Sequence, residues 1–296
     1  MTKRADIKVG TLCNNNCRFC AQAMYRIYNK TLDRIKKDLE KARSDGCDEV
    51  VITGGEPTVR RDLFDIVRYA KKLGFDIIQI QTNGRMFYYK RFCEKLIDAG
   101  ANEFGPAIHG HIPEVHDYLT RAPGSFKQTL TGIKNLKSLG QVVTTNTVIV
   151  KANYRFAPEI AQLLVDLKVD RFQLAFVHAT GNANIYLESI MPVMSLAVPY
   201  LKRGMQIGNE AGIPCSVEAV PFCMMRGYEK NVSELYIPQT EVREYQNVFL
   251  HFEETRKTIK RKFPQCRKCK YNSICEGPWK EYPETFGDSE FKPVLE

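Results

Sequence analysis

Three cysteines, Cys13, Cys17 and Cys20, fall within the stretch CNNNCRFC. A zinc site generally closes with four protein ligands in paired spacings. Three clustered thiols with no obvious fourth partner instead leave one coordination position open. A [4Fe–4S] cluster held this way has one iron free to bind a substrate or cofactor. Asn14, Asn15 and Asn16 tolerate the tight backbone turns such a loop needs, and Phe19 would shield a cluster from solvent. The alternative at this point is a zinc knuckle completed by a distant residue. A second group, Cys266, Cys269 and Cys275, lies in FPQCRKCKYNSICEGPW with Cys-x2-Cys-x5-Cys spacing. Cys223, in a loop-like context upstream, is its natural fourth ligand, with Cys215 the competitor. Four thiolates can hold a fully ligated [4Fe–4S] cluster or a zinc ion. Either would act as the core that this loop-rich segment otherwise lacks.

The elements that must position these groups alternate in type. Apolar, β-rich runs at 7–12, 48–53, 75–82, 102–109, 141–150 and 170–178 are separated by amphipathic runs such as TLDRIKKDLEKARSDG and APEIAQLLVDLK. Near-continuous apolarity suits strands covered on both faces, and several of the helical runs end in Gly. Six β–α repeats predict a parallel sheet, either a barrel or an open doubly wound sheet. In both, ligands gather at the C-terminal ends of the strands. That edge carries Cys13, GGEP (54–57), TNG (82–84), HGH (109–111), Asn146 and His178. A further helix and a strand, IPCSVEAV, are expected after residue 190. The division is therefore 1–212 for the β/α body and 213–296 for a loop-rich extension.

CNNNCRFC matches the CxxxCxxC signature of the radical S-adenosylmethionine (SAM) superfamily, with the usual aromatic before the last cysteine, and the chain resembles that superfamily over about residues 5 to 190. The resemblance implies an α/β fold, a partial (β/α)6 TIM-like barrel, with the small cysteine-rich extension appended. It also implies that Cys13, Cys17 and Cys20 bind a cluster whose unique iron chelates SAM. An electron from the cluster would cleave SAM to methionine and a 5′-deoxyadenosyl radical, which abstracts hydrogen from a substrate. VITGGEP looks like the family's GGE motif, so Gly54, Gly55 and Glu56 are expected to contact the SAM amino group. Two glycines let a backbone approach a ligand, and a carboxylate can accept from an ammonium. Asn83 in TNG is expected near SAM, and Asn146 at its ribose or carboxylate. The x2–x5 spacing of the second group resembles the SPASM and shortened twitch auxiliary-cluster regions of the same superfamily. The long form continues with a cysteine four residues on, where this chain has Trp279. That departure argues for a shortened, one-cluster version with Cys223, Cys266, Cys269 and Cys275 as ligands.

Composition bounds the rest. The chain has 296 residues, ten of them cysteine, and a net charge of +9. Clustered thiols in a reducing compartment are more often metal ligands or catalytic groups than disulfides. Cys47 and Cys93, in helix and strand contexts, are read as ordinary buried thiols. No secretory signal and no run of 18 apolar residues is found, so a cytoplasmic protein without a membrane span is expected. Basic residues are interleaved with acids along the helices, as on solvated faces, and a nucleic-acid partner is not expected. A peptide or an anionic small molecule is the expected substrate, the anion because of the +9 charge. The resemblance adds an external electron donor such as flavodoxin or ferredoxin. Inward barrel positions that could meet substrate are Gln79, Gln81, His109, Gln173 and His178, and no general acid–base pair can be named. The competing reading is non-catalytic: an iron–sulfur electron carrier or a zinc-stabilised binding module, either of which would need no SAM pocket.

Overall fold

The computed structural model of the chain describes residues 2–23, 27–245 and 249–295. In chain order the elements are β1 (Lys3–Lys8), α1 (Leu32–Ser44), β2 (Glu49–Thr53), α2 (Leu63–Lys72), β3 (Ile77–Thr82), α3 (Lys90–Ala99), β4 (Glu103–Pro106), α4 (Pro113–Thr120), α5 (Ser125–Ser138), β5 (Val142–Ile149), α6 (Ala157–Asp166) and β6 (Arg171–Phe176). Two short turns of helix, α7 (Asn182–Ile185) and α8 (Leu187–Ile190), precede the long α9 (Met194–Glu210). Then follow β7 (Cys215–Glu218), β8 (Gln239–Arg243), β9 (Phe249–His251), α10 (Phe252–Ile259) and α11 (Glu281–Phe286).

One sheet runs in the order β7-β6-β5-β4-β3-β2-β1-β8-β9. The first eight strands are parallel and only β8–β9 is antiparallel. Strands in sequence order lying side by side, each followed by a covering helix, are what right-handed β–α crossovers produce. The result is the expected partial barrel, a curled parallel sheet whose two edges, β7 and β8, are not paired with each other. The six expected strands are present, and β7 and β8 extend them to eight. Both added strands lie within 213–296, so the expected boundary at 213 does not coincide with a break in the sheet. Among the described residues no helix is long and apolar enough to cross a membrane.

The strands explain how the site is kept polar. In β1, Ala5 and Ile7 are fully buried against the helices, while Arg4, Asp6 and Lys8 alternate onto the other face. A period of two along a curled sheet puts one set of side chains under the helical layer and the other into the lumen. Ile52, Ile80, Phe104 and Leu174 continue the outer, apolar layer. The first strand was expected at 7–12 and lies at 3–8. Its charged residues make KRADIK read as polar chain, although Arg4, Asp6 and Lys8 face a lumen rather than solvent.

Candidate active site

The cysteine loop leaves β1 and is tied back to the barrel along its length. Gly55 donates its N–H to the Gly10 carbonyl at 2.7 Å, and Glu56 donates to that of Leu12 at 2.8 Å. The approach is so close that a Cβ on Gly54 would stand 2.3 Å from the Gly10 oxygen, and one on Gly55 2.4 Å from the Leu12 oxygen. Gly54 also has φ +137°. Both glycines are therefore demanded by the fold itself, whatever ligand their backbone meets. Asn16 and Arg18 donate their N–H groups to the Thr120 and Leu119 carbonyls, each at 2.9 Å. Asn182 donates its N–H to the Cys20 carbonyl and its Nδ2 to that of Cys17, at 2.9 and 2.7 Å. Arg85 Nη1 donates to the Asn14 carbonyl at 2.6 Å.

Cys13, Cys17 and Cys20 line one open cavity of about 1530 Å³, together with Gly54, Gly55 and Asn83. The Asn15 N–H points at Cys13 Sγ at 3.4 Å, and Asn83 Nδ2 lies 4.0 Å from the same sulfur. Phe19 is buried beside them, edge-on to His109 with ring centres 4.6 Å apart. Three thiols on one cavity wall, with amide donors aimed at sulfur and an aromatic shield, are what a cluster with one open iron would need. The residues present fit that group.

Glu56 is bonded into the strand ends. It is only 2% exposed. Its Oε1 accepts from the Thr58 N–H (2.9 Å), Thr58 Oγ1 (2.6 Å) and Thr82 Oγ1 (2.6 Å), and its Oε2 accepts from the Asn83 N–H (2.6 Å). Burial pushes its pKa up and these four donors pull it down. Three of the four bonds fall on Oε1 and one on Oε2, and together they tie the end of β2 to the end of β3. Asn146 lines a deeper cavity of about 970 Å³, and its buried Oδ1 has no hydrogen-bond partner.

Gln81, His109 and His178 line the upper cavity, and Gln79, Gln81 and Gln173 the deeper one. His109 Nδ1 accepts from the Val148 N–H at 3.2 Å, and the His109 backbone N–H donates to His116 Nδ1 at 3.1 Å. Burial lowers His109 well below the ordinary range and His116 to about 4, so both rings are neutral at physiological pH. Three residues that border the upper cavity were missed. Asp6 and Glu218 border both cavities, and Trp279 reaches the upper one from the C-terminal segment. Asp6 lies just before the strand expected at 7–12, and its alternation with Ala5 and Ile7 is the signal that could have found it. Trp279 stacks on His178 with ring centres 4.2 Å apart and donates Nε1–H to the Phe176 carbonyl at 3.0 Å. His178 Nε2 lies 3.3 Å from Glu281 Oε2.

The second cysteine group is brought together as well. Cys223, Cys266, Cys269 and Cys275 line one cavity of about 390 Å³. The Phe263 N–H points at Cys266 Sγ and the Val294 N–H at Cys269 Sγ, each at 3.4 Å. Burial and then the neighbouring thiols push Cys223 up to about 12, so a bound cation is what would favour its thiolate. Cys215 is apart from them, on β7, taking a bond from Asn231 Nδ2 at 3.4 Å. Among the described residues no three His, Cys, Asp or Glu side chains are gathered tightly enough to grip a single metal ion.

Residues 7–164 match the family model described as the radical SAM superfamily, more than half of the chain. The chain belongs to the radical SAM superfamily. Among curated relatives, it is 30% identical over 175 residues to the AdoMet-dependent heme synthase of Methanosarcina barkeri, covering 58% of this chain and 50% of the relative. It is 33% identical over 174 residues to the probable GTP 3′,8-cyclase of Saccharolobus solfataricus, covering 57% and 55%. The chain thus spans about half the length of the curated relatives it matches. Among solved structures, Streptococcus suis SuiB bound to precursor peptide SuiA superposes with a TM-score of 0.72 at 15% identity, over 98% of this chain and 76% of SuiB. The enzyme anSMEcpe, with bound AdoMet and Cp18Cys peptide, gives 0.66 at 14% identity, over 100% and 93%. At such identities the likeness is one of fold, and it reaches beyond the radical SAM barrel into the C-terminal segment.

The net charge of +9 does not extend into this radical SAM barrel. Asp6, Glu103 and Glu218 face the two cavities, against Arg4, Lys8 and Arg171. The anionic substrate expected from overall charge therefore finds no surplus of basic groups there. The positive charge belongs to the outer surface.

Proposed function

We propose that this radical SAM enzyme carries a [4Fe–4S] cluster on Cys13, Cys17 and Cys20 and a second, fully ligated one on Cys223, Cys266, Cys269 and Cys275, and takes hydrogen from a peptide or small molecule held in the barrel lumen. The observation that carries this reading is the shared cavity: three thiols, the Gly54–Gly55 backbone and the polar lumen open into the same space. When bound, the first cluster supplies the electron that cleaves SAM to methionine and a 5′-deoxyadenosyl radical. The chain's own part is positional. The backbone at Gly54 and Gly55 offers carbonyls to an ammonium, Asn83 and Asn15 offer amide N–H groups beside Cys13, and Phe19 and Trp279 exclude water from the space between. Peptides bound to SuiB and anSMEcpe, which share the fold, favour a peptide substrate. In this proposal residues 1–212 act as the SAM-binding body and 213–296 as the auxiliary-cluster region. The enzyme works in the cytoplasm with an external donor such as flavodoxin or ferredoxin.

Iron and acid-labile sulfide per chain, after anaerobic purification, test the reading. Wild type should carry about eight irons, and a Cys13/Cys17/Cys20→Ala variant about four. Wild type with dithionite and SAM should release 5′-deoxyadenosine, and the variant none. Iron without SAM binding would instead indicate an electron carrier. About four irons in wild type and almost none in the variant would remove the second cluster from the proposal.

A further inference from the structure

Asp6 on β1 and Glu218 on β7 each border both cavities of the lumen, so they stand where the upper, cysteine-lined space meets the deeper one. The basic side chains on the same walls are already engaged. Arg4 pairs with Glu49 at 3.1 Å, Lys8 pairs with Glu244, and Arg171 lies 4.0 Å from Glu103. Glu103 is engaged further by Gln79 Nε2. Beyond the wall, Lys260 pairs with Glu234 and, at 2.8 Å, with Glu276, to which Arg256 also pairs at 2.9 Å. Among the described residues this leaves two acids over. Neither Asp6 nor Glu218 has an ion-pair partner within 4 Å. Glu218 Oε2 accepts a single bond from Gln173 Nε2 at 2.6 Å. Asp6 Oδ1 is buried and has no hydrogen-bond partner.

Asp6 and Glu218 are half-buried, and a carboxylate that has given up part of its hydration is favoured by a cation or by several donors that replace it. Two of them kept at one junction, beside the space where the reactive group would form, describe a site whose complement arrives from outside. We infer that the substrate presents a primary ammonium or guanidinium group to Asp6 and Glu218, which hold it by charge-assisted hydrogen bonds and so fix which carbon faces the upper cavity. The inference rests on the proposed function for the placing of substrate in the lumen. It adds the substrate's chemical class: an amine or guanidine, either free or as the side chain of a peptide. Gly54 and Gly55 line only the upper cavity, whereas Asp6 and Glu218 also reach the deeper one, so the SAM affinity of the variant below separates a SAM ammonium from a substrate cation.

Anaerobic isothermal titration of the iron-loaded full chain, with SAM present, tests this. The probes are lysine, agmatine and a lysine-containing pentapeptide, against norleucine and glutamate. The cationic probes should bind, with norleucine and glutamate at least tenfold weaker. An Asp6→Asn/Glu218→Gln double variant should lose at least tenfold in lysine or peptide affinity, while its SAM affinity, read from the cluster's spectrum, stays within twofold. Both substitutions are isosteric, and a melting temperature no lower than that of wild type shows that the variant is folded. A pentapeptide binding more tightly than lysine places the cation on a peptide, and the reverse order places it on a small amine; either supports the assignment. It is overturned if no cationic probe binds, if norleucine or glutamate binds as well as lysine, if the double variant keeps its affinity, or if that variant loses SAM instead. Wild type that binds no SAM would sink the proposed function, while the amine titration still decides what the two carboxylates do.

Discussion

The loop that carries Cys13, Cys17 and Cys20 is tied to the barrel through its own backbone, whereas the segment that carries Cys266, Cys269 and Cys275 is held by short turns and by side chains, such as Trp279 on the Phe176 carbonyl and Lys260 on Glu276. The first is bonded to the ends of β2 and α4 and to the turn at Asn182. Its geometry exists before any ligand arrives. Around the second the chain forms only a 3-10 turn at Pro264–Lys268 and the six-residue α11. Phe222 stacks on Tyr271 and Phe263 on Phe291, and Tyr282 is fully buried, its hydroxyl accepting from the Met194 N–H at 2.6 Å. Strand ends make a preorganised site, and short turns make one that relies on its ligand set for cohesion.

That contrast can be broken most directly by removing thiols from each site in turn. A Cys223→Ala/Cys269→Ala variant should lose the cohesion of residues 260–296. Ligation of a structural metal is worth several kcal/mol or more, and at about 2–4 °C per kcal/mol the melting temperature should fall by roughly 10 °C. Limited proteolysis should cut within that segment. A Cys13→Ala/Cys17→Ala variant should lose its iron yet melt within a few degrees of wild type. Equal melting of the two variants would remove the distinction. Next in size is Gly54→Ala. Its Cβ would meet the Gly10 carbonyl at 2.3 Å in a backbone conformation that side chains rarely adopt. A loss of about 3 kcal/mol is expected, together with weaker iron retention at the first site alone, read by iron content in a background where the second site is intact.

Much of the barrel was legible because its outer layer is built from near-continuous apolar strands such as EVVIT, and because the cysteine spacing is specific whatever surrounds it. What escaped reading was the lumen. KRADIK and QTEVR look like exposed chain, since their polar side chains are hidden by curvature of the sheet and not by apolar neighbours in sequence; so β1 was displaced and β8 was missed. Glu56 shows a related limit: the motif fixes that an acid follows two glycines, but only the fold shows its bonds to Thr58, Thr82 and Asn83. For Asn146 the strand was legible and the cavity it lines was not. The choice between Cys215 and Cys223 turns on β7, which carries Cys215 against Asn231 and away from the other thiols.

The cost of an unpaired lumen acid should be measurable as a dependence on pH. Burial pushes Asp6 from 3.8 up to about 6, with Arg4 and Lys8 pulling the other way. Between pH 4 and 6 the folded chain keeps a proton that the unfolded chain has released. Stability from this group is thus highest below pH 4, falls as pH rises through that window, and stays low above it. Asn cannot titrate, so Asp6→Asn should be the more stable protein at pH 7.5, by on the order of 2 kcal/mol. The gap should close at pH 4. Melting curves of both proteins at the two pH values decide it, and a variant less stable than wild type at pH 7.5 would show that Asp6 has a partner in the free enzyme.

The smallest effect concerns the exposed side of the first cysteine loop. Arg18 lays its guanidinium over the Tyr118 ring at 4.1 Å and donates Nε–H to the Tyr118 carbonyl at 3.1 Å. Tyr118 is 51% exposed, so solvent weakens the contact, and such pairs are worth about 0.5–1 kcal/mol. The backbone bonds from Asn16 and Arg18 to α4 do not depend on this side chain. Arg18→Ala should therefore lower the melting temperature by only a few degrees and leave iron content unchanged. If it instead cost half the iron, the loop would owe its shape to one surface side chain. The preorganisation attributed to its backbone would then have to be given up.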